Sequence, residues 1–117
     1  TQIANGRTAE YVQKIALDRI IVLAITDDKI VGMGALKGNE IRHMYVQSEY
    51  QGKGIGSKLI DFIAEEAYFK GLSSIIVNSV DHSEEFYIKN GFKPLIKNQI
   101  WRHGVTLDAI LLEKFLE

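Results

Sequence analysis

The sequence has no cysteine, one proline and one tryptophan in 117 residues. Without cysteine there is no disulfide framework, no thiolate to hold a metal and no sulfur nucleophile, so a thioester formed on the protein is excluded. Three scattered histidines lack the spacing of a metal site, and no metal is expected. Long apolar runs are missing too. The longest, Ile20 to Ile25, is far short of the roughly twenty residues a membrane span requires, so neither a transmembrane segment nor a signal peptide is expected. Charge of one sign is also scarce. Fourteen Lys and Arg against fifteen Asp and Glu leave a net charge of −1, too balanced for charge alone to drive binding to nucleic acid or to an anionic membrane. These absences fit the cytoplasm, and they mean that any anionic ligand must be held locally. Thr1 stands where a start methionine would, so the beginning is expected to be processed or cut away.

What is present reads as one folded domain over residues 1–117. Hydrophobic residues make up 46% and charged residues 25%, an ordinary globular balance, and no linker, repeat or low-complexity tract divides the chain. Thr8 can cap a helix with Tyr11, Val12, Ile15 and Ala16 at helical spacing, ending near Asp18. Ile20 to Thr26 and Ile30 to Leu36 read as strands joined at Asp27-Asp28, and Lys37-Gly38-Asn39 turns into a third strand, Glu40 to Val46. A loop from Gln47 to Gly56 leads into a helix with Ile55, Leu59, Ile60, Ile63, Ala64 and Ala67 on one side and Gly71 at its end. Leu72 to Val80 is a strand. Asp81 and Glu84 form a capping-box-like start for a short helix that reaches Asn90 and stops at Gly91. Phe92 to Ile96 and Val105 to Glu113 complete the order αβββαβαββ, a mixed α/β domain.

The most informative stretch runs from Val46 to Ser57, a strand end followed by Gln51-Gly52-Lys53-Gly54-Ile55-Gly56 at the start of a helix. Glycines let successive N–H groups turn toward one point, and a helix start adds unpaired donors and positive dipole. That design suits a phosphate or pyrophosphate, although the same glycines could simply make a tight turn. Two familiar phosphate loops do not fit. A Walker loop needs Gly-Lys-Ser/Thr after four residues, and a dinucleotide fingerprint counted from Gly52 meets Ser57 where its last glycine belongs.

The segment resembles the acyl-CoA signature of the GNAT superfamily of N-acyltransferases, Gln/Arg-x-x-Gly-x-Gly/Ala, at every specified position. Glu40 to Val46 resembles the family's fourth strand, and Phe86-Tyr87-Ile88-Lys89-Asn90-Gly91-Phe92 its Phe-Tyr-x-x-x-Gly-Phe segment. The resemblance runs from about Ile20 to Glu113. It implies a GNAT-like mixed sheet and acetyl-CoA as co-substrate, with the strand Met44-Tyr45-Val46 pairing its backbone with the pantetheine arm. Gln51, Gly52, Lys53, Gly54, Ile55, Gly56 and Ser57 would hold the pyrophosphate. Lys53 and Lys58 are near enough in sequence to screen phosphates, or are solvated surface lysines. Asn78 matches a position whose side chain contacts the pantetheine amide, or is structural.

The resemblance also implies two catalytic positions. Tyr87 would lie near the thioester sulfur and protonate the leaving thiolate; the alternative is a core tyrosine packed beside Phe86. Glu40 matches a catalytic glutamate that removes the acceptor's proton, directly or through water; the alternative is an exposed carboxylate at a strand start. The need for a base is physical. An amine with pKa near 10.4 is neutral only about one part in a thousand at pH 7.4, a cost of roughly 4 kcal/mol. His43 is a second candidate base. Strict alternation would put it on the face opposite Glu40, unless a bulge intervenes.

Departures from the pattern accompany these matches. His82 replaces an asparagine at the start of the short helix, Lys97 to His103 with Trp101 resembles nothing in the family, and simple packing is expected of Trp101. The family usually has a first strand and one or two helices before the hairpin, which build part of the acceptor pocket, and the 19 residues before Ile20 are too few for them. A trimmed chain, an unusually open pocket or a covering second subunit would each account for this. The reading is direct acetyl transfer from acetyl-CoA to a primary amine, in a small molecule or peptide, within a ternary complex. No nucleic acid or membrane partner is expected, and a homodimer is open. The alternative is a CoA-binding regulatory module of the same fold without turnover.

Overall fold

A computed structural model describes residues 2, 3 and 7–117, with side chains from Ala9 onward. Nine strands and two α-helices follow in order: β1 (Gln2–Ile3), β2 (Arg7–Thr8), β3 (Glu10–Ile15), β4 (Arg19–Thr26), β5 (Lys29–Lys37), β6 (Glu40–Val46), α1 (Ile55–Phe69), β7 (Ser74–Ser79), α2 (Glu84–Lys89), β8 (Lys93–Arg102) and β9 (Val105–Phe115). Strands β1 and β2 pair with each other. The remaining seven form one sheet in the order β3-β4-β5-β6-β7-β9-β8. All its neighbours are antiparallel except β6 and β7, which run parallel because α1 carries the chain from the end of one back to the start of the other.

Alternation sets the two faces. Ile20, Val22, Ala24 and Thr26 of β4 are buried toward α1, as are Ile75, Val77 and Ser79 of β7. They meet Ile55, Leu59, Ile60, Ile63 and Ala67 of α1, the helical stripe expected from the sequence. Burying each of the larger side chains contributes roughly 1.5–3 kcal/mol. The helix sits unusually low on β5. A Cβ on Gly34 would come within 2.7 Å of Ile63 Cδ1, and one on Gly32 within 3.1 Å of Ile55 Cγ2. These two glycines thus let the start of α1 settle beside the end of β6.

The helix expected between Thr8 and Asp18 is instead strand β3, an edge strand paired with β4 from Glu10↔Ile25 to Ile15↔Ile20. Tyr11 stacks at 5.0 Å on Phe62 of α1, while Val12 faces outward and is 46% exposed. An edge strand with one buried side needs few apolar residues, and Tyr11, Val12 and Ile15 happen to mimic helical spacing. The proposed Thr8 cap rests on a side chain outside the described residues. A strand therefore precedes the hairpin, and only Ala16–Asp18 joins it to β4. Lys70 closes that turn from the end of α1, with Nζ donating to Ala16 O at 2.6 Å and Leu17 O at 3.0 Å.

Two further expectations are corrected. Strand β8 extends through Lys97 to Arg102 and forms a hairpin with β9 around His103-Gly104. Trp101 pairs with Thr106 there and is 74% exposed, so it does not serve core packing. The capping box is absent as well. Asp81 and His82 both adopt left-handed conformations, φ 57° and 61°, and α2 starts behind Ser83 with no side-chain cap. The turn places Asp81 two residues outside the helix boundary, where it cannot cap the first turn.

Candidate functional site

The site begins where β6 and β7 part. They pair only through Glu40↔Ile76 and Ile41↔Val77, and beyond that the free edge of β6 lines a gap. Gln47 N donates to Val31 O on β5 at 2.8 Å, so alternation turns the main-chain groups of Val46 and Met44 the other way, toward the gap. One is already engaged. The Gln51 side chain folds back and donates from Nε2 to Val46 O at 3.0 Å.

Past a single 3₁₀ turn at Ser48–Tyr50, Gly52 and Gly54 take left-handed φ values of 76° and 85°, open to glycine at little cost. Gly54 is the N-cap of α1 and supplies no side-chain cap, and the first turn holds no acidic residue. The helical ladder starts with Lys58 N donating to Gly54 O at 3.0 Å. The N–H groups of Ile55, Gly56 and Ser57 are therefore left at the positive end of the helix dipole. Across from them, the Phe86 ring lies against Gly56, where a Cβ would come within 3.0 Å.

These parts enclose a cavity of about 440 Å³ lined by Met44, Val46, Tyr50, the loop from Gln51 to Ser57 except Lys53, and Ser83, Phe86, Tyr87 and Lys89 of the α2 region. Tyr87 is nearly buried, with its ring edge-on to Phe86 at 5.1 Å and Phe92 at 5.4 Å. Burial pushes its phenol up to about 12, so the proton stays on at neutral pH.

On the sheet face opposite α1 lies a polar chain. A bulge at Arg42 shifts the register of β6, so that Leu36 opposes Ile41 but Ala35 opposes His43. Ile41 and Met44 thereby both face α1, while Glu40 and His43 share the opposite face. Glu40 accepts from Arg42 Nε on Oε1 at 3.1 Å and from Asn78 Nδ2 on Oε2 at 3.1 Å. Asn98 Nδ2 in turn donates to Asn78 Oδ1 at 2.7 Å. A larger cavity of about 860 Å³ lies between the end of β7 and the β8–β9 hairpin, walled by Asp81, His82, Glu84, Lys97, Asn98 and Asp108 among others.

A family model described as the acetyltransferase (GNAT) domain matches residues 2–109. The chain belongs to the GNAT acetyltransferase family. The tRNA(Met) cytidine acetyltransferase TmcA of Saccharolobus islandicus is 42% identical over 85 residues, which is 71% of this chain but 11% of that protein. The chain thus spans about a tenth of the length of this curated relative. A GCN5-related N-acetyltransferase from Rhodopseudomonas palustris superposes with a TM-score of 0.78 at 28% identity, covering 84% of this chain and 62% of that one. A GNAT family acetyltransferase from Elizabethkingia anophelis, with acetyl-CoA bound, gives 0.70 at 24% identity over 85% of this chain and 77% of its own.

Within this GNAT domain the structure gathers Met44, Val46, Gln51, Gly52, Gly54, Ile55, Gly56, Ser57 and Tyr87 around one cavity, as their order in the sequence anticipates. Tyr45 opposes Met33 on the far face and is 54% exposed, so only its main chain lies near the gap. Lys53 is exposed and outside the cavity lining. Lys58 lies over the Phe62 ring at 5.9 Å, while Lys89, absent from the sequence reading, is the one lysine in the lining. Tyr50, Ser83 and Phe86 were likewise missed as site residues. Phe86 was visible in the Phe-Tyr motif, but its packing against Gly56 needs the third dimension. His82 lines the larger cavity, away from the glycine loop. Among the described residues no group of His, Asp and Glu is disposed to hold a metal, and no helix is long and apolar enough to cross a membrane.

Proposed function

We propose that the chain is a single catalytic domain that moves the acetyl group of acetyl-CoA directly to a primary amine in a ternary complex. The observation that carries this is the 440 Å³ cavity, which joins a free strand edge at Met44 and Val46 to the unpaired N–H groups at the start of α1. The first feature suits an extended amide-bearing arm and the second a pyrophosphate. The fit also has a steric side: any side chain at position 56 would run into Phe86. Acetyl-CoA, when bound, supplies an acyl thioester.

The protein's own groups then divide the proton work. Glu40, held at the closed end of the β6–β7 gap where the strands still pair, takes the acceptor's proton directly or through water. His43 shares that face and is the other candidate, but it is exposed and has no hydrogen bond such as Arg42 and Asn78 give Glu40. Tyr87 donates toward the sulfur. A phenol near 12 and a thiol near 8.5 differ by about 3.5 units, so complete transfer would be roughly 5 kcal/mol uphill. Tyr87 therefore acts as a hydrogen-bond donor to the departing thiolate, and the proton taken from the amine completes the thiol.

Titration calorimetry with acetyl-CoA, CoA and ATP tests the donor half. Saturable micromolar binding of acetyl-CoA with ATP silent is the expected result, and a folded chain that binds none of them would refute it. Release of free thiol with a panel of amines tests the transfer.

A second acceptor reading draws on the 42% identity to the tRNA(Met) cytidine acetyltransferase, which favours the exocyclic amine of a nucleobase. The net charge of −1 argues against RNA binding by this chain alone. The two differ in pH behaviour. An alkyl amine must lose a proton first, so its rate climbs about tenfold per pH unit from 7 to 9, whereas an aromatic amine already neutral gives a flat profile.

A further inference from the structure

The hydrogen-bonded chain on the open sheet face runs across four strands and has a fixed direction. An ionised carboxylate only accepts, so Glu40 requires Asn78 to present its NH₂ group, as it does at 3.1 Å. That turns Asn78 Oδ1 the other way, where only a donor can satisfy it, and Asn98 supplies one at 2.7 Å. The anion thus sets the orientation of both amides. The last link is unusual in its reach. Asn78 lies on β7 and Asn98 on β8, with β9 between them, so the two backbones are roughly 9–10 Å apart. The β9 residue opposite Asn78 is Leu111 and the one opposite Asn98 is Ala109, which is small and buried, so the two amides meet diagonally across β9 on the side where Ala109 leaves room.

We propose that Asn98 is a positioning residue for acetyl transfer, acting through Asn78 to hold the Glu40 carboxylate in its reactive orientation. This rests on the reading of Glu40 as the base. Without Asn98, Asn78 Oδ1 loses its donor and the amide is held in direction by Glu40 alone. In its reversed orientation it sets Oδ1 against the carboxylate, which then keeps only the Arg42 hydrogen bond on Oε1. The charged and titratable groups sharing that face with Glu40 include Lys37, opposite it on β5, with Arg19 beyond on β4, then Arg42, His43 and Tyr45 on β6, and Glu113 on β9 across Ile76, itself opposite Lys93 of β8; the variants below leave all of them unchanged. Asn98 also lines the 860 Å³ cavity, so this relay connects that cavity to the gap beside β6.

The test compares the wild-type chain with Asn98→Leu, Asn98→Asp and Ala109→Val. Asn98→Leu keeps the volume and removes the donor. Asn98→Asp offers Asn78 an acceptor and so favours the reversed amide. Ala109→Val leaves both asparagines and blocks their meeting. Two readouts are taken on variants that melt cooperatively: the pH profile of kcat/KM, and exchange of the Asn78 side-chain amide protons by NMR, which needs no turnover. We expect amide exchange to quicken about tenfold, kcat to fall about tenfold with the acidic limb of the profile displaced to higher pH, and the dissociation constant for acetyl-CoA to stay within about threefold. Asn98→Asp should show the largest displacement. Unchanged exchange and an unchanged profile in folded Asn98→Leu would overturn the proposal. Full activity of Glu40→Gln would instead refute the base assignment, while the exchange measurement still decides whether Asn98 orients Asn78.

Discussion

Strand β7 is flanked by two openings of different make. Toward β6, the gap is bounded chiefly by a strand edge, a glycine loop and the start of a helix, with Tyr50, Phe86, Tyr87 and Lys89 completing its wall. Toward the β8–β9 hairpin, the opening beyond Ser79↔Ile110 is walled by side chains from three separate segments, several of them charged. A cavity built from backbone fits a ligand whose shape is constant. A cavity built from exposed side chains can change its preference with one substitution, and on this contrast we propose the first opening for the constant donor and the second for the variable acceptor.

The contrast can be broken most severely at Glu40, which lines neither opening but is hydrogen-bonded through Asn78 to Asn98 in the wall of the second. Glu40→Gln should lower kcat about 100- to 1,000-fold with alkyl amines while the dissociation constant for acetyl-CoA, read by calorimetry, stays near the wild-type value. An equal loss of donor binding would mean that Glu40 belongs to the first opening alone. Next in size is Gly56→Val, which forces a branched side chain against Phe86 and should weaken acetyl-CoA binding by at least about tenfold. Wild-type affinity in a folded variant would remove the start of α1 from the donor site.

Tyr87→Phe should reduce kcat by about tenfold with little change in donor affinity, since only a hydrogen bond to the leaving sulfur is lost. The same variant has a stability signature. The unfolded phenol titrates near 10 and the folded one near 12, so unfolding releases a proton in that window and stability falls as pH rises from 10 to 12. The loss approaches roughly 3 kcal/mol; it should be absent from Tyr87→Phe and so appear as the pH-dependent difference between the wild-type and variant denaturation curves. The smallest effect is expected at Asp108. Asp108→Asn should change KM for cationic amines by about two- to fivefold and leave acetyl-CoA binding alone. A change in donor affinity instead would merge the two openings into one.

The same contrast explains what the sequence discloses. The first opening is legible because most of its lining, from Met44 to Ser57, comes from one segment whose glycines answer a backbone requirement, and because β4, β5, β6 and α1 carry strong period-two or helical patterns. The second opening is not. Asp81, Lys97, Asn98 and Asp108 share no spacing, and Asn98 meets Asn78 diagonally across β9 on the side where Ala109 leaves room. Edge strands give weak signals as well, since β3 and β8 each lack a second neighbour and keep much of their surface in water. Pairing with β4 therefore decided the structure of Glu10–Ile15, where local spacing favours a helix. The bulge at Arg42, which unites Glu40 and His43 on one face, left no trace in residue types, being a matter of register with β5.

The Gln51 side chain on the Val46 carbonyl gives the free edge of β6 a definite end. An extended guest laid along that edge finds main-chain partners at Met44 and the N–H of Val46, and then meets an acceptor already taken. It must turn there, toward the glycine loop. On the donor reading proposed above, the edge is a ruler for such an arm, with its zero where β6 and β7 part and its stop set by one glutamine amide. Gln51→Ala would lift that stop, and tolerance for longer or shorter arms is the property it would change.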